Sequence, residues 1–146
     1  MSKLAKTLQA AAGNAGGDKL YVDDVFSTYL YTGTGSAITI TNGIDLDGEG
    51  GMVWFKSRDV ARAHSIWDTA RPATDELDPS QSWAATVGAA GITSYNSNGF
   101  AISTQGNINR SNEDFVSWTF RKSPKYFDIV TWTGDDTTNR THAHNL

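Results

Sequence analysis

The sequence predicts an all-β fold, an antiparallel β-sandwich preceded by a short N-terminal segment. Short apolar and aromatic stretches recur along most of the chain, and turn-forming Asn and Gly residues separate them. No segment after Gly17 shows the 3.6-residue period of an amphipathic helix. The chain has 146 residues, of which 11% are aromatic and 19% charged, and this is typical of one folded domain.

The beginning of the chain differs from the rest. A short helix there would have one apolar face, made of Leu4, Leu8, Ala11 and Ala12. Because so short a helix is marginal alone in water, we expect this face to become ordered by docking onto a partner protein; a frayed terminus is the alternative. The motif GNAGG follows and is expected to act as a hinge; a helix end with a glycine C-cap is also consistent with it. We therefore divide the chain into an attachment segment with its hinge, residues 1–17, and a β-domain, residues 18–146.

Eight stretches of the β-domain have strand character, with apolar, β-branched and aromatic residues in alternation. The predicted strands are 25–31, 37–41, 52–56, 65–69, 92–95, 100–104, 115–121 and 126–133. The Asn and Gly residues between the fifth and sixth strands are typical of a hairpin turn. In the seventh strand, Val116, Trp118 and Phe120 are expected on the opposite face from the odd-numbered residues.

An aromatic-Thr-Gly triplet occurs twice and opens two similar stretches, 31–46 and 132–146. Both stretches end in an Asn and a Leu after comparable spacing. This repeat predicts two related halves of one sandwich, with the second half incomplete at the C-terminus. A chance match of two triplets is the alternative.

Composition argues against several classes of function. The chain has no cysteine, which excludes thiol catalysis, Cys-ligated zinc and iron–sulfur clusters. Its net charge of −4 disfavours binding to nucleic acid through many contacts with phosphate groups. No apolar stretch approaches the roughly 20 residues that span a bilayer, and residues 2–12 are too polar for a secretory signal. We expect neither nucleic-acid binding nor membrane insertion.

Residues that carry catalysis or hold metals are scarce. There is no Gly-x-Ser-x-Gly nucleophile motif. Glycosidases need two carboxylates in one cleft, whereas the candidates all lie in predicted loops: Glu49, Glu76 and Glu113. His142 and His144 form a pair without a third metal ligand, and the acidic residues of 45–49 are typical of a solvated turn more than of a calcium loop. We therefore predict no catalytic residue, no metal and no cofactor.

The aromatic residues favour a binding role. β-Sandwich lectins hold sugars by stacking them on Trp or Tyr rings beside polar side chains. Of the 5 tryptophans, Trp54, Trp118 and Trp132 lie in predicted strands and are expected in the core, whereas Trp83 lies in a polar stretch and is expected to be exposed. The polar loop 106–114 is a second candidate recognition surface. The predicted glycan contacts are Trp83, Asn107, Asn109 and Arg110.

Several sequence segments of the chain resemble those of a known family. They are LYVDDVFSTYLYTG (20–33), ITNGIDLDGEGGMVWFKSR (40–58), TSYNSNGF (93–100), VSWTFRKSPKYFDIVTWTG (116–134) and, near the N-terminus, KTLQAAAGNAGG (6–17). They are similar to the concanavalin-A-like jelly-roll tail proteins of marine tailed bacteriophages. The resemblance spans nearly the whole chain and implies a jelly-roll fold and a virion structural protein. The resemblance implies no catalytic residues for this chain. In that family the sandwich continues past the point equivalent to Leu146.

The resemblance implies a tail fibre or receptor-binding component located in the virion. Residues 1–17 would dock onto other phage tail proteins, and fibres of this kind are homotrimers by analogy. The exposed aromatic rings and polar loops would contact glycans on the host surface. Two alternatives stay open: a polysaccharide hydrolase or depolymerase on the same jelly-roll frame, and a ligand-free capsid or tail decoration protein.

Overall fold

The computed structural model describes residues 20–136 and 138–146. The described residues contain two one-turn helices and seven strands. In chain order they are α1 (Val22–Val25), β1 (Phe26–Thr32), β2 (Ile38–Thr41), β3 (Gly51–Ser57), β4 (Ser65–Asp68), β5 (Ile92–Asn96), β6 (Gly99–Ile102), α2 (Gly106–Asn109) and β7 (Asp114–Arg121). The predicted attachment residues Leu4, Leu8, Ala11 and Ala12 lie outside the described residues.

The strands form two antiparallel sheets. A four-stranded sheet has the order β1-β7-β3-β4, and a three-stranded sheet has the order β2-β6-β5. The predicted hairpin is confirmed, since β5 and β6 pair around a two-residue turn at Ser97 and Asn98. The predicted all-β antiparallel architecture of two sheets is therefore confirmed.

The core lies between the two sheets. The alternation of β3 turns Val53 and Phe55 inward, where both are fully buried. The ring of Phe55 packs edge to face against Trp67 of β4 at 5.7 Å and against Phe100 of β6 at 5.5 Å. A hydrogen bond from Asn42 Nδ2 to Thr119 Oγ1 (2.8 Å) also joins the chain after β2 to β7. Aromatic packing therefore holds the two sheets together.

Two glycines are required by close packing in this core. A Cβ at Gly91 would lie 2.0 Å from Cζ2 of the buried Trp67 indole. A Cβ at Gly99 would lie 2.0 Å from the carbonyl oxygen of Ile40, in the neighbouring strand, and the φ of Gly99 is +150°. Only glycine lets the sheet backbone approach these neighbours so closely.

The prediction of a strand at 126–133 is wrong. This segment makes a turn with one isolated bridge, between Ser123 and Phe127. The carboxylate of Asp128 accepts hydrogen bonds from the backbone N–H groups of Ile129 (2.9 Å) and Asn145 (3.1 Å). Because Asp side chains compete in this way with sheet hydrogen bonding, the alternating pattern does not become a strand.

The second copy of the repeat also differs from the first. The first copy, 31–46, contains β2, whereas the described part of 132–146 contains no strand. Trp132, expected in the core, is 62% exposed, and its ring packs on that of His142 at 4.3 Å. Among the described residues, no helix is long and apolar enough to cross a membrane.

Candidate functional site

The outer face of the four-stranded sheet, which points away from the three-stranded sheet, is unusually apolar. Exposed sheet faces in sandwiches normally carry polar residues. Here two rows of paired residues cross the strands, Phe26–Phe120–Met52 and Thr28–Trp118–Trp54–Ile66. Trp54 and Trp118 are half-buried on this face, so their predicted place in the core is wrong. The outer face is therefore the main candidate for a binding surface.

Two concavities adjoin on this face. The first has a volume of about 380 Å³ and is lined by Trp54, His64, Trp118 and Phe120. The second, of about 290 Å³, is lined by Trp54, His64, Pro79 and Ser80. Both share Trp54 and His64, so they adjoin, and we call the two concavities together the aromatic groove.

The sheet register positions the two indoles of the groove. Trp118 of β7 and Trp54 of β3 are direct cross-strand partners, and their rings meet edge to face at 5.8 Å. Beside them, Phe120 packs against Phe26 at 5.0 Å and against Phe127 at 5.4 Å. Since β7 has a paired strand on each side, this end of the groove rests on a rigid part of the sheet.

A hydrogen bond fixes the centre of the groove. The indole Nε1 of Trp54 donates to Nδ1 of His64 over 2.9 Å. An indole nitrogen only donates, so Nδ1 of His64 is the acceptor and the proton of the neutral imidazole lies on Nε2. His64 directly precedes β4, and its ring packs against the Trp54 ring at 5.5 Å. The imidazole therefore offers an N–H donor from a fixed ring.

The far wall of the groove is anchored by a buried carboxylate. Glu76 accepts hydrogen bonds from Ser65 Oγ (2.5 Å) and Gln105 Nε2 (2.8 Å), and it is 7% exposed. The next residue, Leu77, exchanges two backbone hydrogen bonds with Ile66 of β4. These contacts hold the segment that carries Pro79 and Ser80 against the edge of the sheet.

The lining of the groove favours a neutral ligand. Its six residues include two indoles, a phenyl ring, an imidazole, a proline and a serine, and none is acidic, Lys or Arg. Aromatic faces with a few hydrogen-bonding groups suit a ligand that has both apolar faces and hydroxyl groups.

None of the predicted glycan contacts is among the residues that line this groove. Trp83 is 64% exposed, as predicted, and lies three residues beyond Ser80. Asn107, Asn109 and Arg110 lie on or beside α2 instead. Arg110 is exposed and pairs with Glu113 at 3.6 Å, while Asn107 is half-buried.

Asn109 is buried and stabilises the surrounding loops, whereas an exposed position was predicted for it. It is fully buried, and its Nδ2 donates to the carbonyl oxygens of Ser36 (2.6 Å) and Ser103 (2.7 Å). Its Oδ1 accepts from the backbone N–H of Thr34 at 2.9 Å. Since its amide is used within the protein and none of it is exposed, we leave Asn109 out of the candidate binding site.

The three glutamates lie in separate environments. Glu76 belongs to the buried network described above, and Glu49 is exposed. Glu113 accepts two hydrogen bonds of 2.7 Å from Arg62, and this guanidinium lowers the pKa of the Glu113 carboxyl. Within 20–136 and 138–146, no group of three His, Cys, Asp or Glu residues is placed to hold a metal ion.

The sequence alone did not identify Trp54, Trp118, Phe120 and His64 as one site. The available signal was that β3 and β7 carry large apolar residues on both alternating sets. A strand with one solvated face needs only one such set. The pairing of β3 with β7 brings together the apolar residues that point away from the core, and this pairing is not visible in the sequence.

Comparison with known proteins gives a family without an assigned activity. The family described as a domain of unknown function, DUF7483, matches residues 22–146. No curated protein and no solved structure matches the chain.

Proposed function

We propose that this chain, which belongs to the DUF7483 family, is a non-catalytic virion protein of a bacteriophage tail that binds carbohydrate on the host surface. In this proposal it is a tail fibre or receptor-binding component with a concanavalin-A-like jelly roll. Residues 1–17 attach it to other tail proteins, and copies of the chain assemble as a homotrimer. The resemblance of its sequence phrases to marine phage tail proteins supports the virion assignment.

The aromatic groove is the observation that carries the binding role. It presents two indole rings and a phenyl ring on the outer sheet face, and its lining also includes the Ser80 hydroxyl, which donates to Asp78, and the His64 imidazole, which accepts from Trp54. Rings of this kind stack on the apolar faces of sugars, while hydroxyl and N–H groups fix orientation. The six residues that line the groove include no carboxylate, whereas glycosidases need two in one cleft, and this favours binding over hydrolysis at the groove.

The test is carbohydrate binding by the purified full chain. We expect binding to at least one saccharide on an array of bacterial surface glycans, followed by titration of the hit in solution. Trp118→Ala should weaken the affinity at least about tenfold, since hot-spot aromatic residues dominate such interfaces. Trp132→Ala is the matched control, because it removes an indole that is 62% exposed and lies outside the groove. An array without hits, or equal binding by the Trp118→Ala variant, would contradict the proposal.

A further inference from the structure

We infer that the aromatic groove binds an internal stretch of a linear, neutral saccharide chain across two adjacent subsites. This inference rests on the proposed carbohydrate binding and adds the class of ligand. The first subsite is the concavity of Trp118 and Phe120, and the second is the concavity of Pro79 and Ser80. Trp54 and His64 line both and stand between them.

The dimensions of the groove favour more than one sugar unit. It runs across the strands, from β7 over β3 and β4 to the segment that pairs with β4 at Leu77. Adjacent strands lie about 4.8 Å apart, so three spacings span roughly 14 Å. This is longer than one sugar ring, and the two concavities lie one after the other along that direction.

The centre of the groove is built to contact both units. Trp54 keeps its ring in place through the hydrogen bond from Nε1 to Nδ1 of His64. Because that bond occupies Nδ1, the Nε2–H group is the one that a ligand can use, at the boundary of the two subsites. A hydroxyl, ring or linkage oxygen of a sugar accepts from such a donor.

The charges around the groove favour a neutral chain. Lys56 and Asp68 are the charged residues two positions along β3 and β4 from the row that contains Trp54. The amino group of Lys56 donates to the carbonyl oxygen of Ser57, and the carboxylate of Asp68 accepts from Arg71 at 2.6 and 2.8 Å. The charge of Asp68 is therefore paired with that of Arg71, and neither Lys56 nor Asp68 is among the residues that line the groove.

The two subsites differ in chemistry. Trp118 and Phe120 offer ring faces without a hydroxyl, whereas the second concavity has the hydroxyl of Ser80 beside Pro79. This hydroxyl donates to the carboxylate of Asp78 over 2.5 Å, so it is left to accept a hydrogen bond from a sugar hydroxyl. Sugar units bound side by side would meet different surfaces, so the groove has a direction. A chain bound in one direction would stack one unit in the first subsite and hydrogen-bond the next in the second.

The experiment is a chain-length series of the saccharide that the array identifies, from monosaccharide to hexasaccharide, titrated against the full chain. We expect at least a tenfold gain in affinity between monosaccharide and tetrasaccharide, and little gain beyond it. Ser80→Trp fills the second subsite and should abolish this gain. Ser82→Trp is the matched control, because Ser82 is also exposed in the same segment but does not line the groove.

The outcomes separate the two proposals. If the monosaccharide binds as tightly as the longer chains, the two-subsite inference is wrong while carbohydrate binding stands. If Ser80→Trp and Ser82→Trp show the same chain-length gain as the unmodified protein, the second subsite is wrong. Stronger binding of charged than of neutral chains of equal length overturns the neutral assignment. If no saccharide binds, both this inference and the proposed function fail.

Discussion

At the scale of single residues, the hydrogen bond between Trp54 and His64 connects the fold to the proposed site. The indole of Trp54 belongs to the outer face of β3, and the imidazole belongs to the chain just before β4. Their 2.9 Å bond requires an unprotonated Nδ1. The strand register thus determines not only where the histidine lies but also which of its nitrogens accepts the hydrogen bond from Trp54.

This bond predicts the tautomer of His64. Nitrogen-15 NMR of the unliganded protein at neutral pH should show His64 with its proton on Nε2 and with Nδ1 accepting a hydrogen bond. Trp54→Phe removes the donor while it keeps an aromatic ring, and it should let the Nδ1–H tautomer appear. His142, which packs on the ring of Trp132, serves as the internal control because Trp54 does not contact it. A dominant Nδ1–H tautomer in the unmodified protein would contradict the geometry.

Gly91 provides a residue-scale prediction about the core. Gly91→Ala puts a Cβ 2.0 Å from the buried indole of Trp67, and neither the sheet backbone nor the ring has free space to move. We expect a loss of about 1–3 kcal/mol in the free energy of unfolding, as for other overpacked cores. Urea denaturation followed by tryptophan fluorescence measures it.

Gly106→Ala is the matched control for this substitution. Its Cβ would meet nothing within 4 Å, and Gly106 lies in α2, where Ala is favoured over Gly. We expect the stability of this variant to be unchanged or slightly raised. Equal stability of the Gly91 and Gly106 variants would show that the indole of Trp67 is not packed on Gly91.

At the scale of elements, an ion pair connects the loop before β4 to the start of β7. Arg62 donates two hydrogen bonds of 2.7 Å to Glu113, the residue that precedes β7. The hydrogen bonds from Arg62 lower the pKa of the Glu113 carboxyl, while partial desolvation acts in the opposite direction. The paired carboxylate is therefore favoured in the folded state.

This shift predicts a dependence of stability on pH. Because the pKa of Glu113 is lower in the folded than in the unfolded protein, its contribution is fully present above the unfolded value of about 4.3. It is lost as the pH falls through the lower, folded value. We expect Glu113→Gln to flatten the loss of stability below pH 4.3, as measured by urea midpoints from pH 7 to pH 3. An unchanged pH profile in this variant would contradict the role of the pair.

The strands themselves show how much of the fold can be predicted from the sequence. Seven of the eight predicted strands are present, because alternation in segments such as 115–121 reflects one buried face. The eighth prediction failed: within that segment the carboxylate of Asp128 accepts the backbone N–H of Ile129, which a strand would use in its ladder, and it also holds Asn145 from the end of the chain. Strand pairing is a non-local property, so sequence alternation does not reveal that Trp54 and Trp118 would be neighbours.

Burial of single polar residues was equally hard to predict. The loop 106–114 is polar in sequence, yet Asn109 from α2 satisfies three backbone groups inside the protein. A buried amide of this kind is indistinguishable from an exposed one until the surrounding chain is in place. Trp83 was predicted correctly as exposed because its neighbours in 79–84 are small or polar.

At the scale of the whole molecule, the two apolar faces of the four-stranded sheet have different roles. The inner face packs on the three-stranded sheet through Phe55 and Trp67. The outer face carries the groove, and among residues 20–136 and 138–146 the segment around Phe127 packs on one end of it and the segment around Leu77 lies at the other. Exposed apolar surfaces of this kind are typical of interaction sites, and in the proposed tail protein this face would be turned toward the host.

The proposed attachment segment gives the last prediction. In a phage that carries this chain, replacing Leu4 and Leu8 together with Ser should reduce its incorporation into particles at least about tenfold, because the apolar helix face would no longer dock. Replacing Lys3 and Lys6 with Ser is the matched control, since these residues lie off that face. Quantitative mass spectrometry of purified particles measures incorporation, and saccharide binding by the isolated proteins should stay equal. Normal incorporation of the leucine variant would show that the chain is held in the particle by its β-domain instead.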